Sequence, residues 1–96
     1  MLILSKVKKI EFEGPVYSSV DMDALDPAYA PGVSHFEPGG MSTRYLLDFL
    51  RNFKGKLIGA DIVELNPRRD YHGVTAMVAA KILKELIARI FETANG

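Results

Sequence analysis

The sequence predicts an α/β fold in which two parallel strands alternate with two helices. Residues 16–22 and 57–65 are apolar runs that have the length and composition of interior strands. Residues 41–53 and 75–92 instead repeat apolar side chains at the spacing of amphipathic helices. Because a strand, a helix and a second strand follow one another, a right-handed crossover is expected to set the two strands parallel.

The sequence also indicates where each element begins. Residues 2–10 carry apolar side chains at a spacing that suits the end of a helix or an irregular lead-in. The first helix has Ser42 or Thr43 as its N-cap, and the second strand is interrupted by Gly59, Asp61 and Glu64. The predicted buried stripes are Leu46, Phe49, Leu50 and Phe53 in the first helix and Val78, Ala79, Ile82, Leu83, Leu86 and Ile90 in the second.

The composition of the chain limits which partners it can bind and where in the cell it is expected. The 96 residues contain 12 basic and 12 acidic side chains and no cysteine. The balanced charge argues against nucleic acid as a partner, and the lack of an apolar run of about 20 residues argues against a membrane. Without cysteine, disulfide frameworks, thiolate metal sites and cysteine nucleophiles are excluded, and we expect a cytoplasmic protein. An α/β domain with a central parallel sheet is usually longer than this chain.

Two carboxylates stand one residue apart where the first strand meets its turn. Residues 19–27 read Ser-Val-Asp-Met-Asp-Ala-Leu-Asp-Pro, which places Asp21 and Asp23 at alternate strand positions. Alternate side chains of a strand share one face, so these carboxylates should repel each other unless a cation lies between them. A solvated turn ended by Asp26 and Pro27 is the alternative, with the Asp26 side chain accepting hydrogen bonds from nearby backbone amides.

A third acid, Glu64, ends the second strand. Ligands of open α/β sheets bind beyond the carboxyl ends of the strands, and parallel strands place those ends at one edge. We therefore expect Asp21, Asp23 and Glu64 at a common site. A capping or ion-paired role is the alternative for Glu64. Asp61 alternates away from Glu64 and is expected to anchor a hydrogen bond within the fold.

Two blocks of the sequence resemble the ureohydrolase family, which includes the arginases and agmatinases. The acidic turn runs into a Pro/Gly-rich loop, and residues 19–40 fit the family signature throughout. The second block, residues 59–67, reads Gly-Ala-Asp-Ile-Val-Glu-Leu-Asn-Pro and is followed by Asp70 and by Thr75 and Ala76 at the start of a helix. The resemblance implies an arginase-like, three-layer αβα fold with a parallel sheet. Residues 1–96 would form an incomplete β-α-β-α portion at the carboxyl end of a single domain.

The resemblance also implies a chemistry and the residues that carry it. Family members are binuclear manganese hydrolases that release urea from a small guanidino compound. Asp21 matches the carboxylate that bridges two Mn²⁺ ions, Asp23 matches a ligand of one ion, and Glu64 matches the acid that pairs with the guanidinium. Carboxylates suit Mn²⁺ as hard ligands, and they accept the planar guanidinium in bidentate fashion. The spacing from residue 66 to residue 76 is more similar to that of agmatinases than to that of arginases.

The chain also departs from the family pattern. Neither the Gly-Gly-Asp-His block nor the Asp-Ala-His-x-Asp block of the family, which supply the other four metal ligands, occurs in these 96 residues. We therefore expect an isolated chain without activity, which forms a homo-oligomer or associates with a chain carrying the missing half. A truncated remnant that serves only in assembly is the alternative. His35 and His72 are expected at the surface, and Arg68 and Arg69 in a solvated loop.

Overall fold

The computed structural model describes residues 11–95 and confirms the predicted order of the elements. Strand β1 (Glu11–Asp21) is followed by helix α1 (Thr43–Asn52), strand β2 (Lys54–Val63) and helix α2 (Val74–Asn95). Two short 3₁₀ turns, Met22–Ala24 and Pro67–Arg69, follow the two strands. The expectation for residues 2–10 lies outside the described part of the chain.

The two strands pair in parallel, as predicted. Their carboxyl ends are level, because Val20 lies opposite Ile62 and Asp21 lies opposite Val63. Both strands begin earlier than the apolar runs indicated. Glu11 pairs with Lys54, and their side chains form an exposed ion pair at 3.6 Å. The register therefore delivers the ends of both strands, with the acids that follow them, to one edge of the sheet.

Helix α1 starts and ends where its sequence signals lie. The Ser42 side chain accepts a hydrogen bond from the Tyr45 backbone amide at 3.0 Å, which identifies Ser42 as the N-cap. Of the predicted stripe, Leu46, Leu50 and Phe53 are buried and Phe49 is half-buried. Leu47 is buried as well, which the sequence stripe missed.

Helix α2 packs on β2 and contacts α1. Ala79, Ile82 and Leu86 are buried, as predicted, and Val78 and Ile90 are half-buried against them. Leu83 is an error of the prediction, because it lies at the flank of the stripe and is 48% exposed. The described core consists of Val20, Met22, Leu25, Ala30, Val33, Leu46, Leu47, Leu50, Phe53, Leu57, Ala79, Ile82 and Leu86.

The two faces of the sheet differ in what covers them. Both helices share the core on one face. On the other face Tyr17 is 60% exposed, and its hydroxyl donates to Asp61 Oδ2 at 3.0 Å. Ser19 Oγ donates to Asp61 Oδ1 at 2.5 Å, so the predicted anchoring role of Asp61 is confirmed. Residues 11–95 thus form an α/β portion of the expected fold, with helices on one face only. Within that range no helix combines the length and apolar character needed to cross a bilayer.

Candidate active site

The first two acids lie where β1 ends. Strand β1 stops at Asp21, and the chain turns at once because the next side chain, Met22, is fully buried in the core. The Asp21 carboxylate accepts a hydrogen bond from the Asp23 backbone amide at 3.0 Å and caps the 3₁₀ turn. Asp23 is therefore not on the strand, and the expectation that both acids share one strand face is wrong. The turn nevertheless brings their side chains together.

The charges of neighbouring groups affect the ionisation of Asp23. A hydrogen bond to the Asp21 side chain raises the pKa of Asp23, and partial burial and the charge of Asp21 raise it further. The charge of Glu64 also raises this pKa, whereas that of His35 lowers it. The predicted repulsion between carboxylates is thus present in the fold. The charge of Glu64 therefore reaches Asp23 from the end of β2, whereas a common site for Asp21, Asp23 and Glu64 stays a prediction.

Glu64 has an unusual backbone. It follows the last residue of β2, and its φ is +70°, in the left-handed region that residues other than glycine seldom adopt. A left-handed conformation costs such a residue about 1–2 kcal/mol. Two residues later the Asn66 backbone amide donates to the Gly32 carbonyl at 2.6 Å, which ties this segment to the loop after β1.

A set of contacts that we call the loop clasp joins Ser34 and Phe36 to Asn66 and Arg69. Asn66 Nδ2 donates to Ser34 Oγ at 3.0 Å, and Arg69 Nη1 donates to the Ser34 carbonyl. The Arg69 guanidinium also lies 4.9 Å from the centre of the Phe36 ring. Arg69 is exposed, as expected, but its side chain is bound to the loop after β1 and is not free in solvent. His35 lies between Ser34 and Phe36, so the clasp fixes its backbone.

The loop between β1 and α1 is folded by a second acid–amide arrangement. Asp26 accepts hydrogen bonds from the backbone amides of Ala28 and Gly39, each at 2.9 Å, and these bonds lower its pKa. The predicted turn-forming role of Asp26 is confirmed. Gly40 permits a close approach at the base of this loop, because a Cβ there would lie 2.7 Å from the Ala24 carbonyl oxygen.

Asp70 caps α2 and joins it to the site loop. It accepts hydrogen bonds from the backbone amides of Thr75 at 2.8 Å and Ala76 at 3.0 Å. Thr75 is fully buried, and its hydroxyl accepts from the Gly32 amide at 2.7 Å. Gly32 packs so closely that a Cβ would lie 2.9 Å from the Cβ atoms of Asp70 and Thr75. The sequence placed Asp70 in a family block but did not reveal this role.

The carboxylates supply only part of a metal site. Within residues 11–95 no group of three or more His, Cys, Asp or Glu side chains is arranged to hold an ion. Asp21 and Asp23 are hard oxygen donors of the type that Mn²⁺ prefers, and a cation between them would remove their repulsion. The fold and the site define a parallel α/β protein that gathers carboxylates beyond its strand ends.

Comparison with known proteins identifies the family. The profile of the Arginase family matches residues 2–88. The chain therefore belongs to the arginase family, and the family expected from the two sequence blocks is confirmed.

Three relatives illustrate the match. Arginase 1, mitochondrial, of Arabidopsis thaliana is 54% identical over 89 residues, which are 92% of this chain and 26% of that protein. Putative agmatinase 1 of Schizosaccharomyces pombe is 42% identical, over 95% of this chain and 23% of that protein. The solved structure of a triple mutant of the T. brucei arginase-like protein, bound with Mn²⁺, has a TM-score of 0.84 and 38% identity. The superposed region comprises 91% of this chain and 31% of the T. brucei protein chain.

Two facts follow from these matches. The chain spans about a quarter of the length of the Arabidopsis arginase. Identity is higher to that arginase than to the putative agmatinase, whereas the spacing after residue 66 had suggested the reverse.

Proposed function

We propose that this chain is the carboxyl-terminal portion of a manganese-dependent ureohydrolase. The complete enzyme would hydrolyse a guanidino compound such as agmatine or arginine to an amine and urea. The observation that carries the proposal is that the carboxyl ends of two parallel strands are level, so that Asp21, Asp23 and Glu64 all lie at or just after strand ends at one edge of the sheet. The charges of Asp21 and Glu64 raise the pKa of Asp23 there. Family membership, with a relative named as a putative agmatinase and others named as arginases, supports the substrate class.

Each of the three acids has a role in this proposal. Asp21 would bridge two Mn²⁺ ions, and Asp23 would bind one of them. Bound ions would lower the pKa of a water molecule, so that it becomes a nucleophile at neutral pH. Glu64 would accept the planar guanidinium through paired, charge-assisted hydrogen bonds and hold its carbon near that water. In the complete enzyme the guanidinium carbon would gain the oxygen of one water molecule and lose the amine, so that the products would be urea and the amine.

The remaining ligands must come from outside these 96 residues, because the two histidine-containing blocks of the family are absent from them. The second candidate function is therefore that of an inactive remnant, which serves only in assembly. The lack of a group of three or more metal-binding side chains in residues 11–95 favours this alternative for the chain alone. Retention of all three acids favours the enzymatic proposal.

A chain that carries the missing ligand blocks would pair with the open edges of the described sheet. In the described two-stranded sheet each strand has one edge without a neighbour, and such edges tend to pair with another strand. A cleft of about 220 Å³ lies between β1 and α1 and is lined by Val20, Leu46 and Phe49, among other residues. We propose that a polypeptide carrying the missing ligand blocks packs here, and that the isolated chain pairs with its own copies instead. A cytoplasmic location, and no contact with nucleic acid or membrane, complete the proposal.

Complementation tests the proposed activity. The purified chain with Mn²⁺ should release no urea from agmatine or arginine, since two carboxylates cannot position two ions. Addition of a polypeptide that contains the missing histidine and aspartate blocks should produce urea. Turnover by the chain alone would contradict the ligand count, and an assembled complex without turnover would favour the remnant.

Sedimentation tests the proposed association. Across a concentration series the chain alone should form oligomers or aggregates, and hydrogen exchange should be slowest where strand edges are paired. A monomer that persists at high concentration, with fully protected amides in β1 and β2, would show that the chain is a self-sufficient small domain.

A further inference from the structure

We propose that two copies of this chain associate through the side of helix α2 that faces away from the sheet, with the two helices antiparallel. We call this surface the outer face of α2, and it consists of Met77, Ala80, Leu83, Ile87, Phe91 and Ala94. All six residues are apolar and exposed. This interface is separate from the strand edges, and it requires neither a metal nor a substrate.

The outer face is a long apolar stripe. Its residues recur every three or four positions along a helix of 22 residues, which is about 33 Å long. Met77 is 72% exposed and Ile87 is 47% exposed. The opposite side of the same helix is already buried in the core. A helix that is apolar on both sides indicates a contact with a further protein surface.

The direction of the outer face shows what it can contact. Ile82 and Leu86 are fully buried on the side of α2 that packs on β2. Met77 lies nine residues before Leu86, and Phe91 lies nine residues after Ile82. Nine residues make two and a half helical turns, so both side chains point away from the sheet. Strands added at the edges of the sheet would place their helices beside α2, which leaves the outer face for a second copy.

Two charged residues beside the outer face favour an antiparallel pair of identical helices. Lys81 and Glu92 are eleven residues apart, which is close to three turns, so they border the same flank of the stripe. In an antiparallel pair centred on Ile87, Lys81 of one copy would lie within about 1.5 Å, along the helix axis, of Glu92 of the other. The twofold axis forms this ion pair twice. A parallel pair would instead place like charges at the same level.

The apolar residues fit the same centre. Ile87 would meet Ile87 of the other copy, and Leu83 would lie level with Phe91 of the other copy. The largest apolar side chains would therefore be buried where the two helices cross. Lys81 and Glu92 are exposed and form ion pairs at 3.6 Å within their own helix, with Glu85 and Arg89 respectively. Since the stripe is one helix wide, we expect a weak and reversible dimer.

Engineered cysteines test the pairing, because the chain has no cysteine of its own. Ile87→Cys should give a disulfide-linked dimer under mild oxidation, measured by non-reducing electrophoresis. Ala80→Cys alone and Ala94→Cys alone should not, since each would lie about 20 Å from its own copy, but a mixture of the two should cross-link. Val74→Cys is the matched control, because Val74 is an exposed apolar residue of α2 outside the outer face, and it should not cross-link.

Charge reversal tests the orientation by a second measurement. In sedimentation across a concentration series, Lys81→Glu and Glu92→Lys should each raise the dissociation constant of the dimer by roughly three- to tenfold. The double variant should return to within about twofold of the original chain. The ion pairs with Glu85 and Arg89 stay broken in the double variant, so this recovery identifies a contact between copies.

Three outcomes would overturn the inference: no cross-link in Ile87→Cys, a cross-link of Ala80→Cys with itself, or a double variant that associates as weakly as the single ones. Other occupants of the outer face would be recognised in the same samples. Shielding of Ile87→Cys from a thiol reagent by an added polypeptide with the missing ligand blocks, or by anionic lipid vesicles, without the cross-linked dimer would assign the outer face to that partner. Either result would also overturn the inference.

Discussion

The strand ends and the start of α2 use carboxylates in opposite ways. Asp23 lies beside Asp21 and within reach of the charge of Glu64, and these neighbours raise its pKa. Asp70 is partly desolvated, which opposes ionisation, but hydrogen bonds from Thr75 and from the Ala76 and Tyr71 amides outweigh that effect and lower its pKa. Backbone amides therefore stabilise the negative charge of Asp70, whereas the neighbours of Asp23 include two further acids.

This difference separates stability from function. Asp70 is satisfied within the chain and stabilises the helix that it caps. The charges of Asp21 and Glu64 instead disfavour the ionised form of Asp23, and the backbone of Glu64 is also strained. A cation or a guanidinium would relieve the repulsion. The two regions are connected, because Thr75 and Asp70 pack against Gly32 in the loop that leads to the site.

The largest expected effect follows from replacing the proposed bridging carboxylate. In a complemented, active assembly, Asp21→Asn should lower urea release by more than about a hundredfold, because even an outer-shell partner of a metal ligand is worth 10- to 100-fold. Asp70→Asn, the matched change in the other region, should leave release within a few-fold of the unaltered assembly at temperatures below its melting point. An Asp21→Asn assembly as active as the original would refute the assignment of Asp21.

A smaller effect is expected for Glu64→Gln. The amide keeps the shape of the side chain but removes the charge that pairs with guanidinium. Loss of a charge-assisted hydrogen bond should lower turnover or affinity by about ten- to a hundredfold. Manganese content, measured by atomic absorption on the assembled protein, should be unchanged. If manganese fell with activity, Glu64 would be a ligand or a structural anchor.

Much of the fold could be predicted because the pattern of burial is local. The apolar runs, the Ser42 cap and the order of elements were enough to predict that β1 and β2 pair in parallel and that acids follow both strands at one edge of the sheet. The early start of both strands could not be predicted, because Glu11 and Lys54 pair through the register of the sheet and through their charges. Leu83 shows the limit of a stripe, since a flanking position is buried only if a further layer covers it.

The sequence predicted which acids lie near the strand ends, but it did not predict the backbone conformation or the loop contacts around them. Burial of Met22 moves Asp23 off the strand, and a periodic pattern does not reveal when a chain turns inward. The contacts of Arg69 depend on a loop 35 residues earlier in the chain, and no local signal marks such a partner. The left-handed backbone of Glu64 likewise leaves no trace in its residue type.

Stability should depend on Asp70 in a way that acid reveals. Asp70→Ala removes acceptors from the first turn of α2 and should lower the melting temperature by about 4–8 °C near pH 7. The folded pKa of Asp70 is lowered, so its contribution is present above the unfolded pKa and is lost as pH falls through the folded value. The melting temperatures of the original chain and of Asp70→Ala should therefore converge in acid. A constant difference across the pH range would show that the charge of Asp70 contributes nothing.

The smallest expected effect tests the strain at the site. Glu64→Gly should raise the stability of the chain by about 0.5–1 kcal/mol, because glycine adopts φ of +70° without strain but loses more backbone entropy on folding. His72→Gly is the matched control, since His72 also has a positive φ, of +51°, but lies outside the site. Its gain should be smaller, because it gives up the contact with the Tyr71 ring at 4.3 Å. Thermal denaturation measures both gains. A lower melting temperature for Glu64→Gly would mean that the Glu64 side chain stabilises the fold more than its backbone strains it, and the contrast between the two regions would then fail at this residue.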